Sequence, residues 1–183
     1  MKTGATISKG RRLGGVFLVL LLAAAVSSIR PWSCFAAPDI LRGVVTYVDD
    51  GDTLWIRSGV GKEFKIRLYG IDAPEVRHRE KPGQPFGRKA SKALISKVRG
   101  ENVSVEVRDT DRYGRLVGVV RLDGRDINLE MIREGWAWAY RNYLKRPYAS
   151  EYIDAEKEAR AGKLGLWKQA NPQPPWEFRR SLR

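Results

Sequence analysis

The sequence predicts an α+β protein that is mainly β: a small five-stranded barrel with about three helices, preceded by a signal segment. Five short runs of alternating apolar and polar residues are separated by turns rich in Gly, Asp and Pro, as in consecutive β-strands. Segments with apolar residues at helical spacing follow the third run and the fifth. With 183 residues, 43% of them hydrophobic, the chain is long enough for one domain with its own core.

The first 36 residues have the three-part organisation of an export signal. Four cationic side chains within residues 2–12 precede an apolar run over residues 13–29, and small residues stand at Cys34 and Ala36. We expect residues 1–36 to be a signal peptide cleaved after Ala36, and the protein to be secreted or periplasmic. The alternative is an uncleaved membrane anchor formed by residues 13–29, although this run is shorter than the roughly 20 residues of a spanning helix.

Composition and charge exclude several kinds of site. The chain has 34 Lys and Arg against 21 Asp and Glu, and only five of the cationic side chains belong to the predicted signal. The positive excess therefore belongs to the domain, and it favours a polyanionic partner such as nucleic acid or an acidic membrane surface. With one Cys and one His, the chain cannot build a zinc site of the usual kind, so any metal must be bound mainly by oxygen.

The predicted strands begin with a hairpin around the acidic turn at residues 49–52. In the third strand Phe64, Ile66 and Leu68 share one face, so Arg67 points away from the main apolar face. The fourth and fifth strands are joined by a turn at residues 111–114. The five strands are residues 41–48, 53–57, 63–69, 103–108 and 116–122.

Three helices are predicted around these strands. The first, residues 86–100, follows a loop over residues 70–85 and ends at a glycine. Asn128 is expected to cap the second, which runs through residue 133. The third covers residues 147–161 and begins at a proline, which suits the first turn of a helix. Its predicted buried stripe consists of Tyr148, Tyr152, Ala155 and Ala159.

Strands and helices in this order predict an OB-type barrel, a small, partly or fully closed β-barrel with an inserted helix. We assign this domain to residues 37–170. Residues 171–183 form a basic, Pro-rich tail that we expect to be loosely ordered. Its arginines are expected to improve solubility or to be weakly attracted to membranes.

Three polar clusters stand in the predicted turns and loops. Each is ordinary in a turn, but together they supply what hydrolysis of a phosphodiester needs. Arginine forks neutralise charge that builds up on the phosphate oxygens, and an ionised carboxylate takes a proton from the attacking water. Carboxylates with a backbone carbonyl bind a hard divalent ion. The clusters are Asp50-Gly51-Asp52-Thr53, Asp72-Ala73-Pro74-Glu75 with Arg67 five positions before it, and Asp111-Arg112-Tyr113-Gly114-Arg115.

These motifs, together with Gly-Leu-Trp at residues 165–167, resemble the staphylococcal nuclease (thermonuclease) family over roughly residues 40–168. The resemblance implies an endonuclease that hydrolyses DNA and RNA with low sequence specificity, depends on Ca²⁺ and leaves 3′-phosphate products. Its implied metal ligands are the side chains of Asp52 and Asp72 and the backbone carbonyl of Ala73. The implied general base is Glu75. The implied arginines on the scissile phosphate are Arg67 and Arg115, and the implied contacts to a neighbouring phosphate are Arg112 and Tyr113.

Two departures from the family pattern and one alternative function remain. Many members have Thr where this chain has Ala73, and the match does not decide whether Tyr140 or Tyr143 contacts a nucleotide. The alternative is a non-catalytic OB-fold module that only binds nucleic acid. The presence of every acidic and arginine residue of the motifs favours the enzyme. We expect nucleic acid as substrate, no protein partner and a monomer.

Overall fold

The computed structural model describes Met1, Gly4, residues 39–78 and residues 82–182. Nearly all of the predicted signal peptide, residues 1–36, lies outside the described residues, so its cleavage stays a prediction. No helix in the described part of the chain is long and apolar enough to cross a membrane. The apolar run over residues 13–29 is not in that part.

Eight strands are present among the described residues, and five of them form the predicted barrel. They are β1 Ile40–Val48, β2 Thr53–Ser58, β3 Glu63–Leu68, β4 Ile71–Asp72, β5 Asn102–Thr110, β6 Leu116–Leu122, β7 Arg125–Asp126 and β8 Trp138–Ala139. The main sheet has the antiparallel order β3-β2-β1-β5-β6-β7, and parallel pairing of β3 with β6 closes it. The predicted barrel is therefore confirmed. The short β4 and β8, which were not predicted, pair with each other in a second sheet.

Helices cover the barrel and follow it along the chain. They are α1 Gly87–Val98, α2 Ile127–Arg133, α3 Tyr148–Ala161, a 3₁₀ helix at Gly165–Lys168 and α4 Pro175–Ser181. The three predicted helices correspond to α1, α2 and α3. The fourth lies in the tail, where we expected loose order. Pro175 occupies its first position, where the fixed φ of proline suits a helix, and the residue is buried, which explains why the helix starts there.

The cap of α2 differs from the prediction. The N-cap is Asp126, whose carboxylate accepts a hydrogen bond from the backbone N–H of Leu129 at 2.9 Å. Asn128 lies inside the helix and is completely buried. Its Oδ1 accepts from the N–H of Val120 at 3.0 Å, and its Nδ2 donates to the carbonyl of Tyr69 at 3.0 Å. Asn128 therefore ties α2 to the barrel instead of capping the helix.

The core fills the barrel and continues under the helices. All four residues of the predicted stripe on α3 are buried, which confirms that helix's orientation. A second, smaller cluster contains Trp138, Ala159, Leu166 and Trp167, and Trp176 of α4 packs against it. The main core holds β4 and β8 in place, and the second cluster anchors α4.

Candidate active site

The acidic turn between β1 and β2 buries Asp52. Its backbone N–H donates to Oδ1 of Asp50 at 3.0 Å, which fixes the turn. A Cβ added to Gly51 would lie 2.7 Å from the Cβ of Ala73 and 2.8 Å from that of Ala90. The turn therefore packs directly on the β4 segment and on α1. The carboxylate of Asp52 is consequently shielded from solvent, and the residue is only 5% exposed.

Arg67 joins two buried carboxylates. It is paired with Thr53 in the register of β2 and β3, so its side chain starts beside Asp52. Nη1 of Arg67 lies 2.7 Å from Oδ1 of Asp52, and Nη2 lies 2.9 Å from Oδ1 of Asp72. The Arg67 side chain is 14% exposed. One guanidinium thus bridges residues that come from different turns of the chain.

The β4 segment places Asp72 against this guanidinium. Asp72 is completely buried and is paired with Trp138 in the register of β4 and β8. The next residue, Ala73, donates its backbone N–H to Oδ2 of Asp52 at 2.7 Å. Pairing with β8 on one side and this bond on the other hold the two carboxylates together.

Glu75 lies on the loop after β4, and its side chain is 29% exposed. Gln84 fixes the loop: its backbone N–H donates to the carbonyl of Glu75 at 2.8 Å, and its Oε1 accepts from the N–H of Glu75 at 3.1 Å. Glu75 also lines an open cleft of about 560 Å³. Positive charge in this cleft suits a polyanion. Its cationic lining residues are Arg77, Arg88 and Lys89.

An arginine from the tail completes the acidic cluster, which otherwise consists of Asp52, Arg67, Asp72 and Glu75. Nη2 of Arg179 donates to Oδ2 of Asp72 at 2.8 Å, and Nη1 donates to Oδ1 of Asp72 at 3.1 Å and to Oε1 of Glu75 at 2.7 Å. The sequence motifs gave no indication of this residue. The one available signal was the spacing of Trp176 and Arg179 on a single face after Pro175, in a segment too short for helical periodicity to be convincing.

Burial and opposite charge shift the pKa values of the cluster. Burial raises the pKa of Asp72 above its ordinary value, against the opposing effect of Arg67 and Arg179. Burial disfavours the charged form of Arg67, but Asp52 and Asp72 outweigh it and raise the pKa of Arg67. Burial, followed by the charge of Asp52, raises the pKa of Asp50 well above its ordinary value. Perturbed groups gathered at one place are typical of functional sites.

Known proteins resemble this chain over most of its length. Residues 65–169, more than half of the chain, match the family model described as staphylococcal nuclease homologue. The chain belongs to the staphylococcal nuclease family. It is 35% identical over 178 residues to a micrococcal nuclease of Shigella flexneri, with 92% of this chain and 94% of the relative covered. It is 40% identical over 136 residues to an uncharacterized endonuclease of Haemophilus influenzae, with 74% and 71% covered.

Plant members of the staphylococcal nuclease family are longer. A staphylococcal-like nuclease of Arabidopsis thaliana is 40% identical over 124 residues, which are 68% of this chain and 36% of that protein. The chain thus spans about a third of the length of the plant relatives that it matches. Together these matches confirm the family resemblance inferred from the motifs. The relatives' names also support the expected enzyme class, a nuclease.

The structure places the remaining motif residues in the turn between β5 and β6. Nε of Arg115 donates to Oδ2 of Asp111 at 2.7 Å. Nη2 of Arg112 donates to the hydroxyl of Tyr113, which is 68% exposed. No hydrogen bond or ion pair among the described residues links Arg115 to the cluster. The structure brings together Asp52, Arg67, Asp72, Ala73 and Glu75, and leaves Arg112, Tyr113 and Arg115 at the neighbouring turn.

Tyr140 lies next to the acidic cluster. Burial, followed by the charge of Asp72, raises the pKa of Tyr140 above its ordinary value. Its ring stacks on Trp176 of α4, with centroids 5.2 Å apart and planes inclined by 7°. Tyr143 is tilted against Tyr140 at 4.8 Å and is 62% exposed. Of the two tyrosines between which the sequence does not decide, Tyr140 is the half-buried one beside Asp72.

The donor chemistry of the cluster suits a hard divalent ion. Asp52 and Asp72 supply buried carboxylate oxygens, the ligand type that such ions prefer, and Ala73 directly follows Asp72 and binds Asp52 through its backbone N–H. In the described part of the chain, no group of three or more His, Cys, Asp or Glu side chains is arranged to hold a metal. Both oxygens of Asp72 instead accept hydrogen bonds from guanidinium groups. These residues therefore fit a divalent ion once Arg179 is displaced.

Proposed function

We propose that the protein is a secreted, Ca²⁺-dependent endonuclease that hydrolyses phosphodiester bonds in DNA and RNA with low sequence specificity. The products carry 3′-phosphate ends. Membership of the staphylococcal nuclease family supports the reaction class. The relatives' names support only the class, a nuclease, and the motifs' resemblance to the family supports the finer parts of the proposal.

One observation carries the proposal: the guanidinium of Arg67 bridges the buried carboxylates of Asp52 and Asp72, and Arg179 joins Asp72 to Glu75. A structural ion pair needs one cation for each anion, whereas here three carboxylates share two guanidinium groups. Carboxylates that crowd together repel each other and are costly to bury, so their retention favours a role in binding a cation.

The residues of the cluster divide the hydrolysis between them. Glu75 accepts a proton from the attacking water, whose oxygen bonds to phosphorus. The bond between phosphorus and the 5′ oxygen breaks, the leaving 5′ oxygen takes a proton from solvent water, and Glu75 releases its proton to the resulting hydroxide. Arg67 retains N–H donors beyond those bound to the carboxylates, and these neutralise the charge on the phosphate oxygens. Ca²⁺ held by Asp52, Asp72 and the carbonyl of Ala73 would supply further charge neutralisation.

Low specificity follows from the kinds of contact available. Arg115, Arg112 and Tyr113 in the β5–β6 turn are proposed to bind the scissile phosphate and its neighbour. Arg112 and Tyr113 are exposed in the structure, so both are accessible to a strand. Contacts to sugar and phosphate fix position but carry no base information. Such an enzyme therefore cleaves most sequences.

The decisive variant is Glu75→Gln, which keeps the shape of the side chain and removes the base. We expect turnover on plasmid DNA with Ca²⁺ to fall about 100-fold or more, as for other general bases. Binding of an oligonucleotide, measured in chelator, should stay nearly unchanged. Glu101→Gln is the matched control, because Glu101 is exposed and lies in the short connection between α1 and β5. Near-normal cleavage by the Glu75 variant would reject this residue as the base.

The same digestion separates the enzyme from its alternative. A nuclease cleaves with Ca²⁺ and stops in chelator, whereas a binding module shifts the DNA in a gel and cleaves under neither condition. Fragments that accept a 5′ label without prior phosphatase treatment, and extend from the 3′ end only after it, establish 3′-phosphate products. Repeating the assay on RNA tests the second substrate.

Location and assembly are also part of the proposal. Cleavage after Ala36 would release the domain into the periplasm or the medium, and retention of residues 13–29 would leave it anchored. The mass of the mature N-terminus distinguishes these outcomes. A monomer is proposed, and light scattering measures it directly.

A further inference from the structure

Every carboxylate oxygen of the two metal-ligand candidates is already occupied. In Asp52, Oδ1 forms an ion pair with Arg67 and accepts from the hydroxyl of Thr53, and Oδ2 accepts from the backbone N–H of Ala73. In Asp72, Oδ1 is shared by Arg67 and Arg179, and Oδ2 is bound by Arg179. An ion can therefore reach Asp72 only if a guanidinium withdraws.

Arg179 is the guanidinium that can withdraw. Arg67 belongs to a central barrel strand, and its side chain is 14% exposed, whereas that of Arg179 is 40% exposed. Arg179 stands on the seven-residue α4, which is joined to the 3₁₀ helix by a segment without regular structure, residues 169–174. Displacing α4 breaks no barrel hydrogen bond, but displacing Arg67 disturbs β3.

The tail covers the proposed substrate-binding surface as well as the proposed metal site. Trp176 lies face to face with Tyr140, as a nucleic-acid base would. Nε2 of Gln84 donates to the carbonyl of Gln173 at 3.0 Å, which attaches the tail to the loop of Glu75. One short segment thus blocks the proposed base Glu75, the acidic centre and the aromatic ring beside it.

We propose that α4 is an autoinhibitory element, whose Arg179 and Trp176 must leave the site before Ca²⁺ and nucleic acid bind. This inference rests on the proposed function, because it assigns regulation to the same site. Arg179 competes with Ca²⁺ for Asp72, so each weakens the other's binding by the same factor. Nucleic acid competes for Tyr140 and offers the arginines of the tail an alternative anionic partner.

The test measures Ca²⁺ binding without any nucleic acid. Calorimetric titration of Arg179→Ala should show an affinity about tenfold higher than that of the unmodified protein, within the usual range of coupled sites. Arg180→Ala is the matched control, because Arg180 is the adjacent, exposed arginine of the same helix. Circular dichroism confirms that both variants are folded. In the unmodified protein, Ca²⁺ should also accelerate tryptic cleavage at the arginines of α4.

The outcomes separate this inference from the proposed function. Equal Ca²⁺ affinities in the two variants, or no Ca²⁺ binding at all, would overturn autoinhibition. So would slower cleavage by Arg179→Ala at saturating Ca²⁺, since that result makes Arg179 a phosphate-binding group of the active enzyme. If the affinity rises as expected but no variant cleaves nucleic acid, the competition stands and the nuclease proposal fails.

Discussion

Removing Arg67 should strongly lower the stability of the barrel. The side chain is 14% exposed and lies between Asp52 and Asp72, whose side chains are 7% and 0% exposed. Arg67→Ala leaves two buried carboxylates facing each other, and breaking a buried pair in this way costs about 3–5 kcal/mol. Arg179 still neutralises Asp72 in part, so we expect a loss near the lower figure, about 3 kcal/mol.

The measurement is urea unfolding in chelator at pH 7, followed by circular dichroism. Arg57→Ala is the control, because Arg57 stands on the neighbouring strand and its ion pair with Glu63 is 58% and 44% exposed. An exposed pair of this kind contributes about 0–1 kcal/mol. Arg67→Lys keeps the charge but loses the fork, and should fall between the two. A loss no larger in Arg67→Ala than in Arg57→Ala would refute the assignment of Arg67 as the bridge.

Two further predictions concern packing and charge elsewhere in the domain. Gly51→Ala should lower the free energy of unfolding by about 1–3 kcal/mol, because the added Cβ would overlap two alanine side chains. Gly59→Ala is the control and should change little, because no atom lies within 4 Å of its added Cβ. Equal denaturation midpoints for the two variants would contradict this prediction. Glu130 has its pKa lowered from 4.5 to about 2, first by its hydrogen bonds with Arg125 and then by Lys97. It therefore stabilises the fold above pH 4.5 and loses this effect between about pH 4.5 and 2. Glu130→Gln should lower the free energy of unfolding by on the order of 1–2 kcal/mol at pH 7, and the two proteins should become equally stable at low pH. A difference in stability that does not change with pH would argue against this role of Glu130.

The barrel could be predicted because its signals are local. Alternating residues and an Asp-Gly turn specify the β1–β2 hairpin within one short stretch of chain. Two-residue strands give no periodicity. Ile71 and Asp72 become a strand only because they meet Ala139 and Trp138, about seventy positions later, so β4 and β8 depend on the finished fold.

The roles of side chains also divide into those that local sequence predicts and those that depend on the finished fold. Asp126 and Asn128 are both residue types that cap helices, and sequence alone does not rank them. The structure does, because only Asn128 offers both donor and acceptor groups to the barrel from inside α2. For the site, motif spacing identified Asp52, Arg67 and Asp72 together. Arg179 is 107 positions from Asp72 and belongs to no motif, so its tertiary contact is what identifies it with the site.

Charge balance explains why such a contact forms. Asp52, Asp72 and Glu75 face Arg67 and Arg179, which leaves one net negative charge on the described side chains of the cluster. If a divalent ion replaced Arg179, the same group would be neutral and would accept an anionic phosphodiester without further repulsion. Either cation would relieve the cost of burying Asp72, and only the ion would leave Glu75 free for its proposed role as the base. Arg179 therefore stabilises the metal-free fold and, in the proposed mechanism, also keeps the ion from binding at the site.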